Sequence, residues 1–282
     1  MLFLRSLLFN IAFYLVTAIQ LVFWTPVFFF MPRRMGWKVV RLWGKINLWL
    51  QHHIVGNRFE FRGVDNIPRN RHFIVAAKHQ SSWETYTILL FLKDPSYILK
   101  RELMFIPLFG WFMAKMNVIP VRRGRGGVAL AAMTNSARQQ YEGGREIIIY
   151  PEGTRKASGA EPAYKYGITH LYSELDATIL PVALNSGLFW PRQSFLRYPG
   201  TIVMEFLPVI EAGLSRDAFA SELETRIETA TRNLNREAAS GSLPPPWHAS
   251  LMQQAGLHDG PIQLQICLVC ARACMTASRC GS

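Results

Sequence analysis

Length, composition and charge limit the classes of protein that this chain can represent. At 282 residues it has room for one domain with appendages, and a hydrophobic content of 50% is high for a freely soluble protein, so apolar surface must meet lipid or a large core. The formal net charge of +12 suits anionic lipid or phosphorylated substrates, and because the basic residues are scattered among apolar ones without a recognition motif, we expect no nucleic-acid partner.

The apolar excess is concentrated at the N-terminus. Residues 6–31 carry no charge, and Asn10 and Gln20 are their strongly polar interruptions. The run is long enough to cross a hydrocarbon core of about 30 Å. It ends in phenylalanines and Pro32 instead of a small-residue cleavage site, which does not suit a secretory signal peptide. We therefore predict that residues 1–32 form a transmembrane or membrane-inserted helix that is retained.

Basic residues follow this segment and predict its orientation. Five Lys and Arg residues lie within 33–45, against a single Arg5 upstream. Such an excess marks the cytoplasmic flank, so we expect the catalytic domain on the cytoplasmic face of a membrane, the inner membrane if the source is bacterial. Residues 33–57 mix basic and aromatic side chains, which is typical of a basic interfacial helix, although an ordinary core helix is an equal alternative.

Short apolar runs alternate with helical patterns over residues 58–240, which we assign to one domain. Strands are predicted at 58–62, as an edge strand, and at 73–77, 97–99, 118–121, 147–150, 178–184 and 201–210. Helices are predicted at 84–92, 128–141 and 219–234. This alternation predicts an α/β fold with a mostly parallel or mixed sheet flanked by helices. Residues 103–116 are apolar on nearly every side, so we expect them to be buried or to touch lipid.

Polar and charged residues stand where several of these strands end. His79 follows the second strand, Lys100 and Arg101 the third, Arg122 the fourth and residues 151–155 the fifth. In open α/β sheets, ligands collect outside the carboxyl ends of the strands. We therefore expect a base and several anion-binding groups to converge at one end of the sheet.

His79 and Glu84 are the first candidate pair, in the turn between the strand at 73–77 and the following helix. A turn histidine can fold back onto the first helical turn. A carboxylate on one ring nitrogen then fixes the tautomer and stabilises the imidazolium that forms when the other nitrogen takes a proton from a substrate hydroxyl. The alternatives are that His79 only satisfies a buried strand end and that Glu84 only completes a capping box with Ser81.

Two motifs, in this order, resemble the 1-acylglycerol-3-phosphate acyltransferase family, the lysophosphatidate acyltransferases of phospholipid synthesis. They are His79-Gln80-Ser81-Ser82-Trp83-Glu84 and, further along the chain, Pro151-Glu152-Gly153-Thr154-Arg155. The resemblance extends to Lys100-Arg101-Glu102-Leu103, Arg122 and Ile179-Leu180-Pro181-Val182. Glu84 stands where the family pattern usually has aspartate, which keeps the charge and adds one methylene.

The resemblance implies a role for each matching residue. His79 is the expected catalytic base, and Glu84 is its catalytic partner. The expected substrate-binding residues are Lys100, Arg101, Arg122, Glu152, Gly153, Thr154, Arg155 and Pro181. Among these, the guanidinium groups of Arg122 and Arg155 suit paired hydrogen bonds to a substrate phosphate.

On this resemblance we expect a membrane-associated 1-acylglycerol-3-phosphate O-acyltransferase. It moves a fatty acyl group from acyl-CoA or acyl carrier protein to the free hydroxyl of lysophosphatidate, giving phosphatidate. Attack on an acyl thioester needs no enzyme nucleophile, and we expect no cofactor and no metal. Membrane lipids, lysophosphatidate and the acyl donor are the expected partners.

Three alternatives differ in acceptor or in class. The nearest changes only the acceptor, to another lysolipid or an ornithine-type lipid. A lipid hydrolase would use Ser81 or Ser82 as its nucleophile, but the chain lacks a Gly-x-Ser-x-Gly turn there. A non-catalytic membrane-binding protein needs only the basic apolar N-terminal region and leaves the central motifs unexplained.

Residues 241–282 are predicted to be a proline-rich linker and a poorly defined tail. All four cysteines lie in this tail, so none can staple the body of the protein, and a reducing compartment is favoured. Cys267 and Cys270 are spaced like half of a zinc site, but no histidine or second close cysteine pair completes a firm ligand set.

Overall fold

The computed structural model describes residues 1–122 and 126–246. The cysteine-containing tail and the basic residues at 123 and 125 lie outside the described residues. Over the described ranges, the helices are α1 Leu2–Phe28, α2 Arg33–Leu50, α3 Trp83–Thr87, α4 Phe109–Lys115, α5 Gly126–Glu142, α6 Tyr166–Leu175, α7 Ser186–Phe189 and α8 Arg216–Ser240. A π-helical turn, Gln51–Val55, continues α2, and 3₁₀ turns lie at Val64–Asn66, Ile88–Leu90 and Arg101–Phe105.

Seven strands of the described chain form one mixed sheet. They are β1 Asn57–Arg62, β2 Ile74–Ala77, β3 Pro95–Lys100, β4 Ile119–Val121, β5 Glu146–Ile149, β6 Ile179–Leu184 and β7 Gly200–Phe206. Their order across the sheet is β1-β7-β6-β2-β5-β3-β4. The β6–β7 pair is antiparallel, and the other neighbours are parallel. The predicted α/β fold, with a mostly parallel or mixed sheet and an apolar N-terminal helix, is confirmed.

The register of the central strand positions the site. Ala76 of β2 lies opposite Pro181 of β6 on one side and Ile149 of β5 on the other. Because these three strands are parallel, their carboxyl ends meet at one end of the sheet. The chain after β2 therefore lies between the chain after β5 and the chain after β6.

The sheet is buried on both faces because successive side chains along a strand point to opposite sides. Val75 and Ala77 join an apolar layer that contains α1, α2 and α3. Ile74 and Ala76 join the opposite layer, formed with α5, α6 and α8. In the second layer, Phe219 and other side chains at helical spacing anchor α8, as its predicted amphipathic pattern requires.

Helix α1 has two different sides. Its apolar length meets the requirement for crossing a membrane by length and composition, and only 11% of its most apolar window is buried. Two of its polar residues face the protein: Ser6 Oγ accepts from the Arg197 backbone N–H at 2.9 Å, and Asn10 Oδ1 accepts from the Arg197 guanidinium at 3.0 Å. The guanidinium also lies over the Trp190 ring, 4.5 Å from its centroid. The N-terminal half of α1 is therefore attached to the domain, and the exposed residues of α1 are apolar apart from Arg5 and Tyr14.

Helix α2 has one buried and one exposed side. Trp37 is buried in the core, whereas Lys38 and Trp49 are exposed. Some of its basic residues serve the fold, since Arg33 pairs with Asp94 at 2.6 Å and Arg41 donates to backbone carbonyls near the start of β3.

Several predicted boundaries differ from the structure. The helix predicted to reach residue 92 ends at Thr87 and tightens into the 3₁₀ turn Ile88–Leu90, a common end for an α-helix. The last predicted strand ends at Phe206 instead of residue 210, and Ile210 forms only an isolated bridge with Ile179. Helices α6 and α7 were not predicted.

Candidate active site

His79 lies in the turn between β2 and α3, and its ring reaches back to the first turn of that helix. Its Nδ1 atom is 2.9 Å from Oε1 of Glu84. The His79 side chain is 15% exposed, and the Glu84 side chain is fully buried. The structure therefore brings the two predicted catalytic residues into direct contact, with only the imidazole accessible.

The Glu84 carboxylate is held by donors on both of its oxygens. Besides His79, Oε1 accepts from the backbone N–H groups of Gln80 and Ser81, each at 2.7 Å. Oε2 lies 2.7 Å from Ser81 Oγ and 2.7 Å from Ser186 Oγ. Burial acts to raise the pKa of Glu84, but His79 and Ser81 outweigh it and hold the pKa below its ordinary value. Glu84 is thus a carboxylate at neutral pH, and it favours the His79 tautomer with the proton on Nδ1.

Half of the predicted capping box forms in the same contacts. Glu84 accepts from the Ser81 N–H, as the motif requires, but Ser81 Oγ accepts from Trp83 N at 2.9 Å and donates to Glu84. Glu84 therefore caps the helix and orients His79 at the same time, so the two explanations offered by the sequence are not exclusive.

The Tyr150 side chain packs against one face of the histidine ring. Its ring stacks on the imidazole with 3.9 Å between centroids and 16° between planes. Burial raises the pKa of Tyr150 well above its ordinary value, so the ring stays neutral. With Nδ1 bound to Glu84 and one face packed, the orientation of His79 is fixed without using Nε2.

His79 lines an apolar cavity of about 520 Å³. Helix α2 contributes Trp37, Val40 and Trp43 to its wall, and the strands and helices that follow contribute further apolar side chains: Leu89, Tyr97, Ile98, Leu99, Leu103, Phe109, Met113, Val121, Leu130 and Met133. Three basic residues, Lys100, Arg122 and Lys165, also line it. A long apolar chain and an anionic group suit such a cavity.

The second predicted motif forms a turn beside His79. Gly153 lines the cavity with φ at +65°, a conformation that side chains rarely adopt. The backbone N–H of Lys156 donates to the His79 carbonyl at 2.8 Å, and Nη1 of Arg155 donates to Ser82 Oγ at 2.9 Å. These two bonds join the motifs and place an exposed guanidinium next to the His79 turn.

Glu152, from the same motif, lies outside the cavity. It is buried and is not among the cavity-lining residues. Its Oε1 atom is 3.1 Å from Nζ of Lys78, which also lies 2.7 Å from Oε1 of Glu228 on α8. Burial raises the pKa of Glu152, and the Lys78 ammonium opposes that rise. The contacts of Glu152 are those of an internal ion pair that fastens the second motif to the residue before His79.

The remaining predicted binding residues are dispersed. Arg101 lies over the Phe105 ring at 5.7 Å, Thr154 is exposed, and Pro181 is buried in β6 beside β2. None of the three is among the described residues that line the cavity, whereas Lys100, Arg122 and Gly153 are. The predicted binding set therefore divides into cavity residues and residues that shape the surrounding turns.

Sequence reasoning missed four residues around the site: Lys78, Tyr150, Lys165 and Ser186. Lys78 and Tyr150 each adjoin a recognised motif, but their positions in the sequence suggested only ordinary strand ends. Ser186 follows β6, a strand end that the sequence did indicate, but its bond to Glu84 depends on β6 lying next to β2.

The serines of the first motif are engaged in structure. Ser81 Oγ is buried between Glu84 and Ser186, and Ser82 Oγ accepts from Arg155. A serine hydrolase requires its nucleophilic hydroxyl to be hydrogen-bonded to the histidine. Neither of these two hydroxyls is bonded to His79. This geometry disfavours the hydrolase alternative.

Comparison with known proteins agrees with the site. Residues 58–185, which include both motifs, match the family model described as Acyltransferase, so the fold and the His-x4-acid site define an acyltransferase domain. The chain is 33% identical over 224 residues to a 1-acyl-sn-glycerol-3-phosphate acyltransferase of Pseudomonas aeruginosa, covering 78% of this chain and 87% of the relative. The chain belongs to the 1-acyl-sn-glycerol-3-phosphate acyltransferase family.

Two further proteins extend the similarity. A 1-acyl-sn-glycerol-3-phosphate acyltransferase of Borreliella burgdorferi is 28% identical over 206 residues, which cover 68% of this chain and 80% of that protein. The crystal structure of the 1-acyl-sn-glycerophosphate (LPA) acyltransferase PlsC from Thermotoga maritima superposes with a TM-score of 0.70 at 24% identity, covering 83% of this chain and 98% of that one. The second similarity shows the shared fold.

Proposed function

We propose that this enzyme transfers a fatty acyl group from acyl-CoA or acyl carrier protein to the free hydroxyl of 1-acylglycerol-3-phosphate, giving phosphatidate for phospholipid synthesis. The observation that carries the proposal is the contact between His79 Nδ1 and the buried Glu84 carboxylate, at 2.9 Å, on the wall of an apolar cavity. The family's enzymes named above act on this class of acceptor, and the cavity offers both apolar and basic surface.

In this mechanism, His79 acts as general base. Its Nε2 takes the proton of the acceptor hydroxyl while the oxygen attacks the thioester carbonyl carbon, giving a tetrahedral intermediate and an imidazolium. The intermediate collapses by breaking the carbon–sulfur bond, and the imidazolium returns the proton to the leaving thiolate. Glu84 stabilises the imidazolium between these steps, because its carboxylate stays on Nδ1 throughout.

Basic residues near the site supply the phosphate-binding groups. Arg122 and Lys165 line the cavity, and Arg155 is exposed beside the His79 turn. A phosphate held by a planar guanidinium fixes the adjacent glycerol hydroxyl relative to the base, and such positioning accounts for much of the rate in reactions without a covalent intermediate. No enzyme nucleophile, metal or cofactor takes part in these steps.

The structure and the family support membrane association, since α1 is long, apolar and largely exposed on its outer side. The finer proposal is that the catalytic domain lies on the cytoplasmic face. Its support is the basic composition after α1, where Arg34, Lys38 and Lys45 are exposed.

The function is tested with the purified full-length protein in detergent. It is incubated with an acyl thioester and an equimolar pool of lysolipids that differ in headgroup, and products are identified by mass spectrometry. Phosphatidate as the dominant product supports the proposal. Preferential acylation of a zwitterionic or amino-acid lysolipid would assign the site to a different acceptor, and free fatty acid as the only product would assign it to hydrolysis.

Arg155→Ala tests the phosphate assignment. We expect the KM for lysophosphatidate to rise about tenfold or more, since a charge-assisted bidentate contact is lost, while the KM for the thioester changes little. Initial rates with each substrate varied in turn separate the two constants. Arg138→Ala, which removes a half-exposed arginine of α5 that pairs with Glu174, is the control. An equal rise in both KM values would contradict the assignment.

A further inference from the structure

One wall of the cavity is apolar on both of its sides. This outer wall consists of residues 101–115, from the 3₁₀ turn after β3 through α4. On its inner side, Leu103, Phe109 and Met113 line the cavity. On its outer side, Phe105 is 70% exposed, Ile106 is 46% exposed and Trp111 is 56% exposed. A wall between an apolar cavity and water normally turns polar side chains outward.

The exposed side chains are presented on a tightly closed turn. Leu108 has a φ of +60°, which is uncommon for a residue with a branched side chain. A Cβ on Gly110 would lie 1.9 Å from the Met104 carbonyl oxygen, so only glycine allows the chain to close there. Both features hold Ile106 and Trp111 in defined positions, and strain of this kind persists where the surrounding structure enforces it.

The outer wall is continuous with the C-terminal end of the membrane helix. The Phe112 ring stacks on Phe28 of α1 with 4.1 Å between centroids. Nζ of Lys115 donates to the Phe29 carbonyl at 2.8 Å. Phe30, the next residue, is 89% exposed. The outer wall therefore packs directly against the C-terminal end of α1, and the exposed Phe30 follows that contact.

The charges at the ends of the outer wall suit anionic headgroups. Lys100 and Arg101 lie at its start and Lys115 at its end, against one acidic residue, Glu102, which lies 3.9 Å from Lys100. Aromatic side chains flanked by basic ones are typical of segments that lie at the boundary between headgroups and acyl chains.

We propose that the outer wall is a second membrane-contact element, which inserts Phe105, Ile106 and Trp111 into the leaflet that holds the C-terminal end of α1. The inference rests on the proposed function, because it is a lipid substrate that gives this wall a reason to be apolar on both sides. It places the cavity directly beside the acyl chains of the bilayer, so that the lysolipid's chain crosses only this wall and never passes through water.

A depth measurement tests the proposal. The full chain, with its four tail cysteines replaced by serine, is labelled with an environment-sensitive fluorophore at Ile106→Cys or, as a matched control, at Leu214→Cys. The two native side chains are equally accessible, at 46% and 44%, and Leu214 adjoins α8 in the opposite layer. Vesicles of phosphatidylcholine and phosphatidylglycerol, with bromine on the acyl chains, report contact with the bilayer interior by quenching.

We expect blue-shifted emission and loss of most of the fluorescence at position 106, with neither change at position 214. Weak and equal quenching at the two positions overturns the proposal. Emission that shifts with protein concentration in the absence of vesicles assigns the surface to a second copy of the chain and also overturns it. Labelled protein is used only if it melts at the temperature of the unlabelled chain in detergent, so the label itself does not decide the result.

A second measurement links the surface to turnover. The double variant Ile106→Ser with Trp111→Ser removes exposed side chains that do not line the cavity. We expect turnover of vesicle-embedded lysophosphatidate to fall about tenfold, because two apolar insertions are lost, with turnover of detergent-dispersed substrate unchanged. Leu214→Ser should change neither rate. An unchanged rate on vesicles contradicts the proposal.

The two measurements also separate this inference from the proposed function. Quenching at position 106 in a protein that transfers no acyl group would remove the function and leave the membrane contact in place. Normal acyl transfer with no quenching at position 106 would remove the membrane contact and leave the function in place.

Discussion

At the scale of single residues, Glu84 and Lys78 show how buried charge shapes the site. Glu84 joins the histidine, two backbone N–H groups and two serine hydroxyls through one carboxylate. Lys78, the residue before His79, is buried between Glu152 and Glu228. The His79 turn is therefore fixed from one side through its helix and from the other through an ion pair with the second motif.

Glu84→Gln separates the charge of this residue from its hydrogen bonds. The glutamine carbonyl can accept from Gln80 and Ser81, while its amide donates to the two serine hydroxyls, which rotate to accept. What is lost is the negative charge that stabilises protonated His79. We expect turnover per folded molecule to fall about 10²–10³-fold, within the range of general-base assistance. Normal turnover would make Glu84 a structural residue only.

The same variant has a defined pH dependence of stability. The folded-state pKa of Glu84 lies below its ordinary value of 4.5, so the ionised carboxylate stabilises the fold. This contribution is fully present above about pH 4.5 and is lost as pH falls through the lower folded-state pKa. Melting in detergent should show a wild-type advantage over Glu84→Gln at neutral pH that shrinks below about pH 4.5. A gap that widens on acidification would contradict the direction of the shift.

Lys78→Met tests the internal ion pair. It leaves the buried Glu152 and the partly buried Glu228 without their cation, and breaking such a buried pair costs about 3–5 kcal/mol of the free energy of unfolding. Lys78→Arg keeps the charge and should recover most of this stability. Denaturant unfolding in detergent measures both. Should Lys78→Met combined with Glu152→Gln prove no more stable than Lys78→Met alone, Glu152 is not the partner that Lys78 neutralises.

At the scale of elements, the sequence predicted strands better than helices. Apolar runs such as 147–150 and 178–184 identify buried strands by composition alone, and each lies within a residue or two of the observed bounds. Helix α7 spans four residues, too few for any periodicity. Helix α6 was missed although Ile168, Leu171, Tyr172 and Leu175 stand at helical spacing, so in that case the signal was present and unused.

Arg145 illustrates an element-level contact that no pattern predicts. It is buried at the start of β5 and donates to the carbonyls of Asp94, Pro95, Met116 and Asn117. Those residues begin β3 and precede β4, so one guanidinium ties three strands together. Burial lowers the pKa of Arg145 to about 10, which still leaves it charged at neutral pH.

Arg145→Ala should destabilise the fold through these carbonyls. Each buried acceptor left unsatisfied costs about 1–3 kcal/mol, so we expect a loss of at least about 3 kcal/mol in the free energy of unfolding. Arg138→Ala removes a half-exposed arginine that pairs with Glu174 and should cost less than about 1 kcal/mol. Denaturant unfolding of both variants in detergent makes the comparison. Equal losses in the free energy of unfolding would show that the buried hydrogen bonds of Arg145 contribute no more to stability than the contacts of Arg138.

At the scale of the whole molecule, strand order decides the site. The sequence indicated that His79, Arg122 and residues 151–155 each follow a strand, and on general grounds these ends were expected to converge. It did not indicate that β2 lies between β5 and β6, because pairing partners are set by tertiary packing and not by any local pattern. The contacts of His79 with Tyr150, and of Glu84 with Ser186, depend on that order.

The dependence of side-chain contacts on tertiary packing also explains where Glu152 lies. Its place within a recognised motif suggested a contact with substrate, whereas the fold turns it toward Lys78 and α8. The residue type at a motif position indicates which family the chain resembles. The packing around that position determines which groups the side chain contacts. Helix α1 shows the opposite case, since the apolar run at 6–31 predicted it from composition alone.

The central claim is that His79 is the general base of acyl transfer, and His79→Ala tests it most directly. Turnover of lysophosphatidate with a saturating acyl thioester is measured in detergent, with His53→Ala, which removes an exposed histidine of the turn after α2, as the control. We predict that His79→Ala lowers kcat about 10²–10⁴-fold, with wild-type vesicle binding and melting, and that His53→Ala keeps the wild-type rate. A well-folded His79→Ala protein that turns over at a near-normal rate would contradict the account.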